Sequence, residues 1–360
     1  MMRTLYWVTR VRYRNPSTLL LLMLSLVINP IKLQAEEGIT PASKTQSGQY
    51  QNRIGDLDTG PPSVRAAFLM RRFGTMFRSG VGAAPLTDKP PTIDPLDSTD
   101  SKGRVTWIGH ATVLLQLPGL NLLTDPIWSS TPSPVPFLGP SRFVEPGLSL
   151  AELPSIDAVV ISHNHYDHLD IPTLKSLATL NPKTQFFVPL GNEKILLNAG
   201  ITGVKGLNWG GSATVNGYEI VALPTQHWSK RSLLDTNRGL WSSWAVIGAE
   251  KRFYFAGDTG YFEGFKAIGR LYGPFDLAAV PIGAYEPAVM MKATHMNPEE
   301  AIAAARDVRA KQVLAIHYGT FDLSDEPLDE PPKRFRKAAL AAGFEANQAW
   351  VLDIGGQQTF

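Results

Sequence analysis

The chain has 360 residues, 44% of them hydrophobic and 18% charged, which supports a sizeable core and excludes a chain too polar to fold. It has no cysteine, which excludes disulfides and thiolate metal ligands, so any metal must be held by histidine and carboxylate. The formal net charge of +2 resides in a basic leader, and nothing in the composition calls for nucleic acid as a partner.

Residues 1–35 read as a signal peptide. Arg3, Arg10, Arg12 and Arg14 precede an apolar run from Leu19 to Ile28, too short for a comfortable membrane span. Leu33-Gln34-Ala35 then offers a cleavage site before Glu36. Losing this segment removes five basic side chains and no acidic one, taking the net charge from +2 to −3. The expectation is an exported protein, periplasmic or associated with an envelope membrane; an uncleaved anchor is the alternative. A chain without cysteine suits an oxidising compartment.

Residues 36–103 are expected to form an N-terminal linker and amphipathic segment. Residues 36–60 are polar and rich in Gly, Gln, Ser and Thr, the composition of a mobile linker. Residues 63–79 mix apolar and arginine side chains at helical spacing. That pattern predicts either a helix packed on the main domain or a basic amphipathic surface touching anionic lipid. Residues 84–103, rich in Pro and Asp, read as a connector.

From Arg104 the pattern changes to short apolar runs closed by turn signals: RVTWIG, TVLLQL, LNLLTD, IDAVVIS, TQFFVP, YEIVALP, WAVIGA, KRFYFAG, LAAVPI and QVLAI. These predict strands. Asn297-Pro298-Glu299-Glu300 carries an N-cap, a first-turn proline and first-turn acids, and opens a helix. Strands with interspersed helices predict an α/β domain over residues 104–356. TVLLQLPGLNLLTDP and WAVIGAEKRFYFAGDTG share a strand–turn–strand–Asp order, which fits a duplicated sandwich.

The strongest chemical signal is His163-Asn164-His165-Tyr166-Asp167-His168, directly after the run IDAVVI. Residues two apart in extended chain share a side, so His163 and His165 can grip one ion. Asp167 and His168 follow where the chain turns and can reach a second. Imidazole and carboxylate suit zinc. His227, Asp258 and His317 each follow another predicted strand, so ligand-bearing strand ends can gather on one edge of the framework. Two cations sharing a hydroxide and a carboxylate would generate a nucleophile at neutral pH and neutralise charge on phosphoryl or acyl oxygens. Asp258, on a short Gly-Asp turn, is the candidate bridging carboxylate.

At these residues the chain resembles the metallo-β-lactamase superfamily. Within it, the chain is most similar to lipid phosphodiesterases of the N-acylphosphatidylethanolamine-hydrolysing phospholipase D type. The likeness runs from Arg104 to Ile354 through VTWIGHATVLLQ, LLTDPIW, SHNHYDHLD, QHWSKR, FAGDTGY, GPFDLAAVPIGAYEP, HMNPEEA and AIHYGTF. It implies an αββα sandwich of two mixed sheets flanked by helices. It implies two zinc ions, the first on His163, His165 and His227, the second on Asp167, His168 and His317, with Asp258 between them. Asp167, Asp258 and His295 would be the catalytic residues, His295 contacting substrate near the phosphate or the N-acyl amide. Asp125 would orient a ligand histidine from behind. His110 lies either near the metals or in the core. Asp170 is expected as a helix N-cap, and Trp128, Trp228, Tyr261 and Tyr285 either line the cleft or fill the core.

The match departs from the family pattern at Tyr318, where a tryptophan follows the last ligand histidine, and at Thr294, where a longer amide side chain precedes the substrate histidine. It is poor before Arg104, the region that would face a membrane or form a homodimer. The resemblance therefore implies a phospholipid substrate cleaved to phosphatidic acid and N-acylethanolamine, a membrane surface as partner, and no nucleic acid. A lactonase or other ester hydrolase of the same fold is the second reading, with β-lactams as its weaker version. A non-catalytic zinc-binding envelope protein is the third.

Overall fold

In the computed structural model the described residues are 38–75, 82–88, 93–94, 96, 102–135 and 139–360. The leader expected over residues 1–35 lies outside them, as do residues 76–79 of the amphipathic segment and much of the 84–103 connector. The fold described is that of the compact unit Ile39–Phe360.

Its strands form two seven-stranded sheets. The first holds β1 (Arg104–Gly109), β2 (Thr112–Leu117), β3 (Leu120–Thr124), β4 (Ala158–Val160), β5 (Gln185–Pro189), β6 (Val204–Leu207) and β14 (Gln357–Thr359), in the order β14-β1-β2-β3-β4-β5-β6. The second holds β7 (Ser212–Val215), β8 (Tyr218–Leu223), β9 (Ser243–Ile247), β10 (Arg252–Phe255), β11 (Phe275–Pro281), β12 (Ala310–Ile316) and β13 (Ala349–Trp350), in the order β13-β12-β11-β10-β9-β8-β7. Both are mixed in the same way. Pairing is antiparallel from β14 to β3 and from β7 to β10, then parallel from β3 to β6 and from β10 to β13. The strand–turn–strand–Asp echo marks equivalent hairpins, β2–β3 and β9–β10.

The central strands are buried on both faces, which is why they read as unbroken apolar runs. Side chains alternate between the two faces. In β2, Val113 and Leu115 join the core that also contains Trp244 of the second sheet, while Leu114 faces a separate cluster. Each fully buried side chain of this size contributes about 1.5–3 kcal/mol. Trp244 also crosses the sandwich, its Nε1 donating to the Ile161 carbonyl at 3.0 Å.

The described residues also form seven α-helices, α1 (Pro62–Thr75), α2 (Ile171–Leu180), α3 (Glu193–Asn198), α4 (Gly264–Leu271), α5 (Ala288–Met291), α6 (Pro298–Asp307) and α7 (Glu330–Ala341), and one 3-10 turn at Leu150–Glu152. Leu174, Leu177 and Leu196 of α2 and α3 cover the first sheet with Leu114, Leu123 and Phe186. Phe265, Ile302 and Phe335 of α4, α6 and α7 pack into the core that includes the second sheet. The expected arrangement of two mixed sheets flanked by helices is present. Helix α6 starts as its sequence predicts: Asn297 Oδ1 accepts from Glu300 N at 2.8 Å, and Glu300 returns the bond to Asn297 N at 3.2 Å. None of the described helices is long and apolar enough to cross a membrane.

One N-terminal expectation is corrected and one is met in part. The stretch read as a mobile linker is docked from residue 39 onward. Tyr50 is buried in a cluster with Trp209, Leu240 and Trp241, and Ala42 and Asn208 exchange two hydrogen bonds of 2.9 and 3.1 Å. One aromatic anchor and a few paired amides suffice where composition suggests none. Helix α1 combines features of both its readings. Phe68 is buried, and Arg72 turns back to Asp322 at 2.6 Å rather than outward. Leu69, Met70 and Phe73 nevertheless remain 66%, 71% and 74% exposed.

Candidate metal centre

All seven histidines of the chain converge on one place, together with Asp167 and Asp258. All but His295, which lies between α5 and α6, arrive from the ends of strands of both sheets. The β1–β2 turn carries His110 at φ +52, and its carbonyl accepts from Trp107 Nε1 and from His317 N, both at 2.9 Å. His317 leaves β12 at φ +60, so the two turns brace one another. After β4 the chain passes His163 and His165, then closes a turn through the Leu169 N to His165 O bond at 2.9 Å. That turn places Asp167 and His168 beside the first two histidines.

The groups fall into two sets. His165 Nδ1 lies 2.8 Å from His163 Nε2 and 3.4 Å from His227 Nε2. His168 Nε2 lies 3.3 Å from His317 Nε2 and 3.2 Å from Asp167 Oδ2. Asp258 stands between, with Oδ2 3.2 Å from His168 Nε2 and Oδ1 3.2 Å from His317 Nε2. It also falls within ligand reach of His163 on one side and of His227 and His295 on the other. His295 Nδ1 is 3.8 Å from Asp258 Oδ2. His110 is in the site rather than the general core, with Nε2 2.9 Å from Asp167 Oδ2.

Electrostatics separates His168 and His317 from the other five rings. Burial holds His163 and His227 well below the usual histidine range, and holds His165 and His295 down at about 4 and His110 at about 3. These rings are neutral and offer lone pairs. Burial acts the same way on His168 and His317, but Asp258 with Asp167, and Asp125 beside His168, overrides it. His168 is held well above its usual value and His317 at about 9. Burial opposes charge on Asp167 and Asp258 too, yet His168 and the hydrogen-bonding histidines hold both well below the carboxylate range. The carboxylates thus demand positive charge at the second cluster.

The donor set fits divalent cations. Three neutral imidazole nitrogens face one another at His163, His165 and His227, and ring protons alone cannot satisfy them all. Asp258 Oδ1, His165 Nε2, His295 Nδ1 and His317 Nδ1 are buried without a hydrogen bond, an arrangement costing about 1–3 kcal/mol per group unless another partner takes them. Nitrogen and oxygen donors without sulfur suit zinc.

The far nitrogens of several rings are fixed from behind. His163 Nδ1 is 2.9 Å from Ser162 Oγ, His168 Nδ1 is 2.6 Å from Asp125 Oδ2, and His227 Nδ1 donates to the Thr294 carbonyl at 3.0 Å. Asp125 also accepts from Ser162 N and Oγ, both at 2.6 Å. Such partners set the tautomer and aim Nε2 inward. Asp170 sits at the N-cap of α2, but its carboxylate takes Thr173 Oγ1 and Ser129 Oγ rather than a helix amide. Trp228 packs on His165 with ring centroids 4.4 Å apart. Trp128 donates to the Leu148 carbonyl, while Tyr261 and Tyr285 bond to Asp307 and Glu330. Tyr318 stacks on Trp107 at 4.8 Å.

Two supports escaped the sequence reading. Asn52 grips the backbone of His227 from both sides, Nδ2 donating to its carbonyl at 2.8 Å and Oδ1 accepting from its N–H at 3.1 Å. Arg231 donates to the carbonyls of Asn164 at 3.0 Å and Leu169 at 2.8 Å, and lies 4.0 Å over the Tyr166 ring. A lone Asn in a polar stretch carries no signal of this. An Arg four residues after a candidate ligand carries only a weak one.

Comparison with known proteins agrees with this picture. The family profile described as Beta-lactamase superfamily domain matches residues 120–318. A Caenorhabditis elegans protein named N-acyl-phosphatidylethanolamine-hydrolyzing phospholipase D 1 is 49% identical over 228 residues, 61% of this chain and 64% of that protein. The match therefore spans less than two thirds of that relative. A protein of Methanopyrus kandleri named a metal-dependent hydrolase is 30% identical over 70% of this chain and 97% of its own length. Among solved structures, the metallo hydrolase Igni18 of Ignicoccus hospitalis superposes with a TM-score of 0.56 at 25% identity, covering 72% of this chain and 98% of that one.

Proposed function

The chain belongs to the beta-lactamase superfamily and is a metal-dependent hydrolase of the metallo-β-lactamase fold, and from that premise we propose that it cleaves a phosphodiester bond in N-acylated or related glycerophospholipids. The products would be phosphatidic acid and an N-acylethanolamine. The observation that carries the reading is Asp258, placed within reach of both histidine clusters in a chain so similar to the C. elegans phospholipase.

Two zinc ions, on His163, His165 and His227 and on Asp167, His168 and His317, would supply Lewis acidity and a nucleophile at neutral pH. The chain's own residues do the rest. Asp258 presents one oxygen towards each of His168 and His317 and lies within ligand reach of His163 and His227, so a single carboxylate can balance charge across the site. Asp125 holds His168 in one tautomer, and His110 orients Asp167. His295 borders Asp258 and precedes the capped start of α6, where backbone N–H groups favour an anion. There it would steady a phosphoryl oxygen or the N-acyl amide. The exposed apolar side chains of α1 suit a membrane surface, and the leader suits export to one.

A lactonase or other ester hydrolase would use the same residues and remains the second reading, because fold alone does not select a substrate. A closed structural zinc site normally has four ligands. Seven candidate ligands favour an open, catalytic arrangement.

The test is to load the full chain with zinc and incubate it with N-acylphosphatidylethanolamine in mixed micelles. Release of both phosphatidic acid and N-acylethanolamine, followed by mass spectrometry and absent in Asp258→Asn, is the expected result. Turnover of lactones without lipid products would replace this reading with the second.

A further inference from the structure

Among the described residues, Leu233 and Leu234 are the most exposed large hydrophobic side chains, at 89% and 90%. They sit at the tip of the loop that follows His227. The loop is not slack. Asp235 Oδ1 accepts from the N–H groups of Arg231 at 3.0 Å and Ser232 at 2.7 Å, and the Arg238 N–H returns to the Asp235 carbonyl at 2.9 Å. At its base Ser229 and Asn237 exchange bonds of 2.8 and 3.1 Å. An aspartate that braces a turn in this way fixes what the turn presents, and here it presents two adjacent leucines to solvent.

The same loop is bolted to the metal centre. Arg231 holds the carbonyls of Asn164 and Leu169 and covers Tyr166, so it grips both ends of the turn carrying His165, Asp167 and His168. Whatever the leucines enter is thereby held at a set distance from the metal cleft. Beyond the engaged Arg231 the loop is also basic: Lys230 and Arg238 flank the tip against Asp235, whose carboxylate is occupied by backbone amides.

We propose that Leu233 and Leu234 form a wedge that enters the hydrocarbon of a phospholipid bilayer, with the flanking cations at headgroup level, and so seats the metal cleft on the membrane surface. This rests on the lipid-hydrolase reading above. Apolar tips with basic flanks are the composition of an interfacial contact. A stable protein interface needs roughly 800 Å² from each partner, far more than two leucines provide. A bilayer needs only that the tip be apolar and fixed. Helix α1 differs in kind, because its Arg71 and Arg72 are paired with Asp322 and Asp325 of the domain.

The absence of cysteine makes a local test direct. Leu234→Cys in the full chain, labelled with an environment-sensitive fluorophore, should shift to the blue and brighten on vesicles of phosphatidylethanolamine and phosphatidylglycerol containing no N-acylated lipid. This readout is blind to any other membrane contact of the chain. In parallel, Leu233→Ser/Leu234→Ser should lower turnover of vesicle-borne substrate by about tenfold or more. Its zinc content and hydrolysis of a water-soluble phosphodiester should not change. Emission unaltered by vesicles overturns the wedge, as does full vesicle turnover in the double variant. A vesicle-dependent shift in a protein that hydrolyses no phospholipid would sustain the wedge and refute the lipid-hydrolase reading instead.

Discussion

Strands β3 and β10 hold the same place in their two sheets. Each is the last antiparallel partner before the parallel run, and each is followed by an aspartate. The two aspartates do different work. Asp125 comes directly after β3 at φ +35, its N–H bonded to the Val160 carbonyl, and its carboxylate stops at Ser162 and the back of His168. Asp258 comes after two further residues, Ala256 and Gly257, and reaches the middle of the histidines. Gly257 makes the longer exit possible. Its φ is +58, and a Cβ there would lie 2.5 Å from the Cβ of Ser162, the residue that Asp125 holds. In a duplicated sandwich, the length of one strand exit therefore decides whether a carboxylate is a candidate ligand or the support of one.

Substitutions can break that comparison. Asp258→Asn should have the largest effect, reducing turnover by about a thousandfold while circular dichroism stays native, since it removes charge that both clusters share. More than a tenth of wild-type turnover remaining would deny Asp258 its central role. Asp125→Asn should instead weaken zinc binding by about 10–100-fold and be rescued by excess zinc. If it abolished turnover at saturating zinc, the distinction between the two aspartates would collapse. Gly257→Ala should cost about 2 kcal/mol of stability, read from denaturant melts, through its left-handed backbone and its crowding of Ser162. A neutral result there would show that the exit can take another path. Asn52→Ala should have the smallest effect, loosening His227 and lowering zinc affinity several-fold with little change in the fold. Asn52→Asp, which sets a buried carboxylate oxygen against the His227 carbonyl that Nδ2 now donates to, should lower it at least as far, whereas a purely packing role would leave zinc affinity unmoved.

The strands that the sequence announced are the central ones. Those it did not announce, β6, β7, β13 and β14, are the four sheet edges. Central strands are buried on both faces and must be apolar throughout. An edge strand meets solvent and pairs through backbone alone, so Ser212–Val215 and Gln357–Thr359 carry no apolar run to notice. The site divides in the same manner. His163, His165, Asp167 and His168 stand together in sequence, and His227, Asp258 and His317 follow strands that could be read. Asn52 and His110 could not be placed, because nothing local distinguishes an amide in a polar stretch, or one turn histidine, from its neighbours. The arginines of α1 were equally silent, since a guanidinium in an amphipathic pattern suits lipid phosphate or a distant carboxylate alike.

By itself, then, the sequence determined the kind of fold and the chemical identity of the site, through apolar periodicity and the placing of scarce metal-binding residue types at strand ends. Both are local properties, set by neighbours along the chain. Only the tertiary structure decided that His110 belongs to the site, that the arginines of α1 turn back to the domain, and that the segment from residue 39 onward completes the centre. Those outcomes depend on hydrogen bonds between residues far apart in the chain, such as Asn52 to His227, whose partners are chosen by how the two sheets stack rather than by any pattern along the chain.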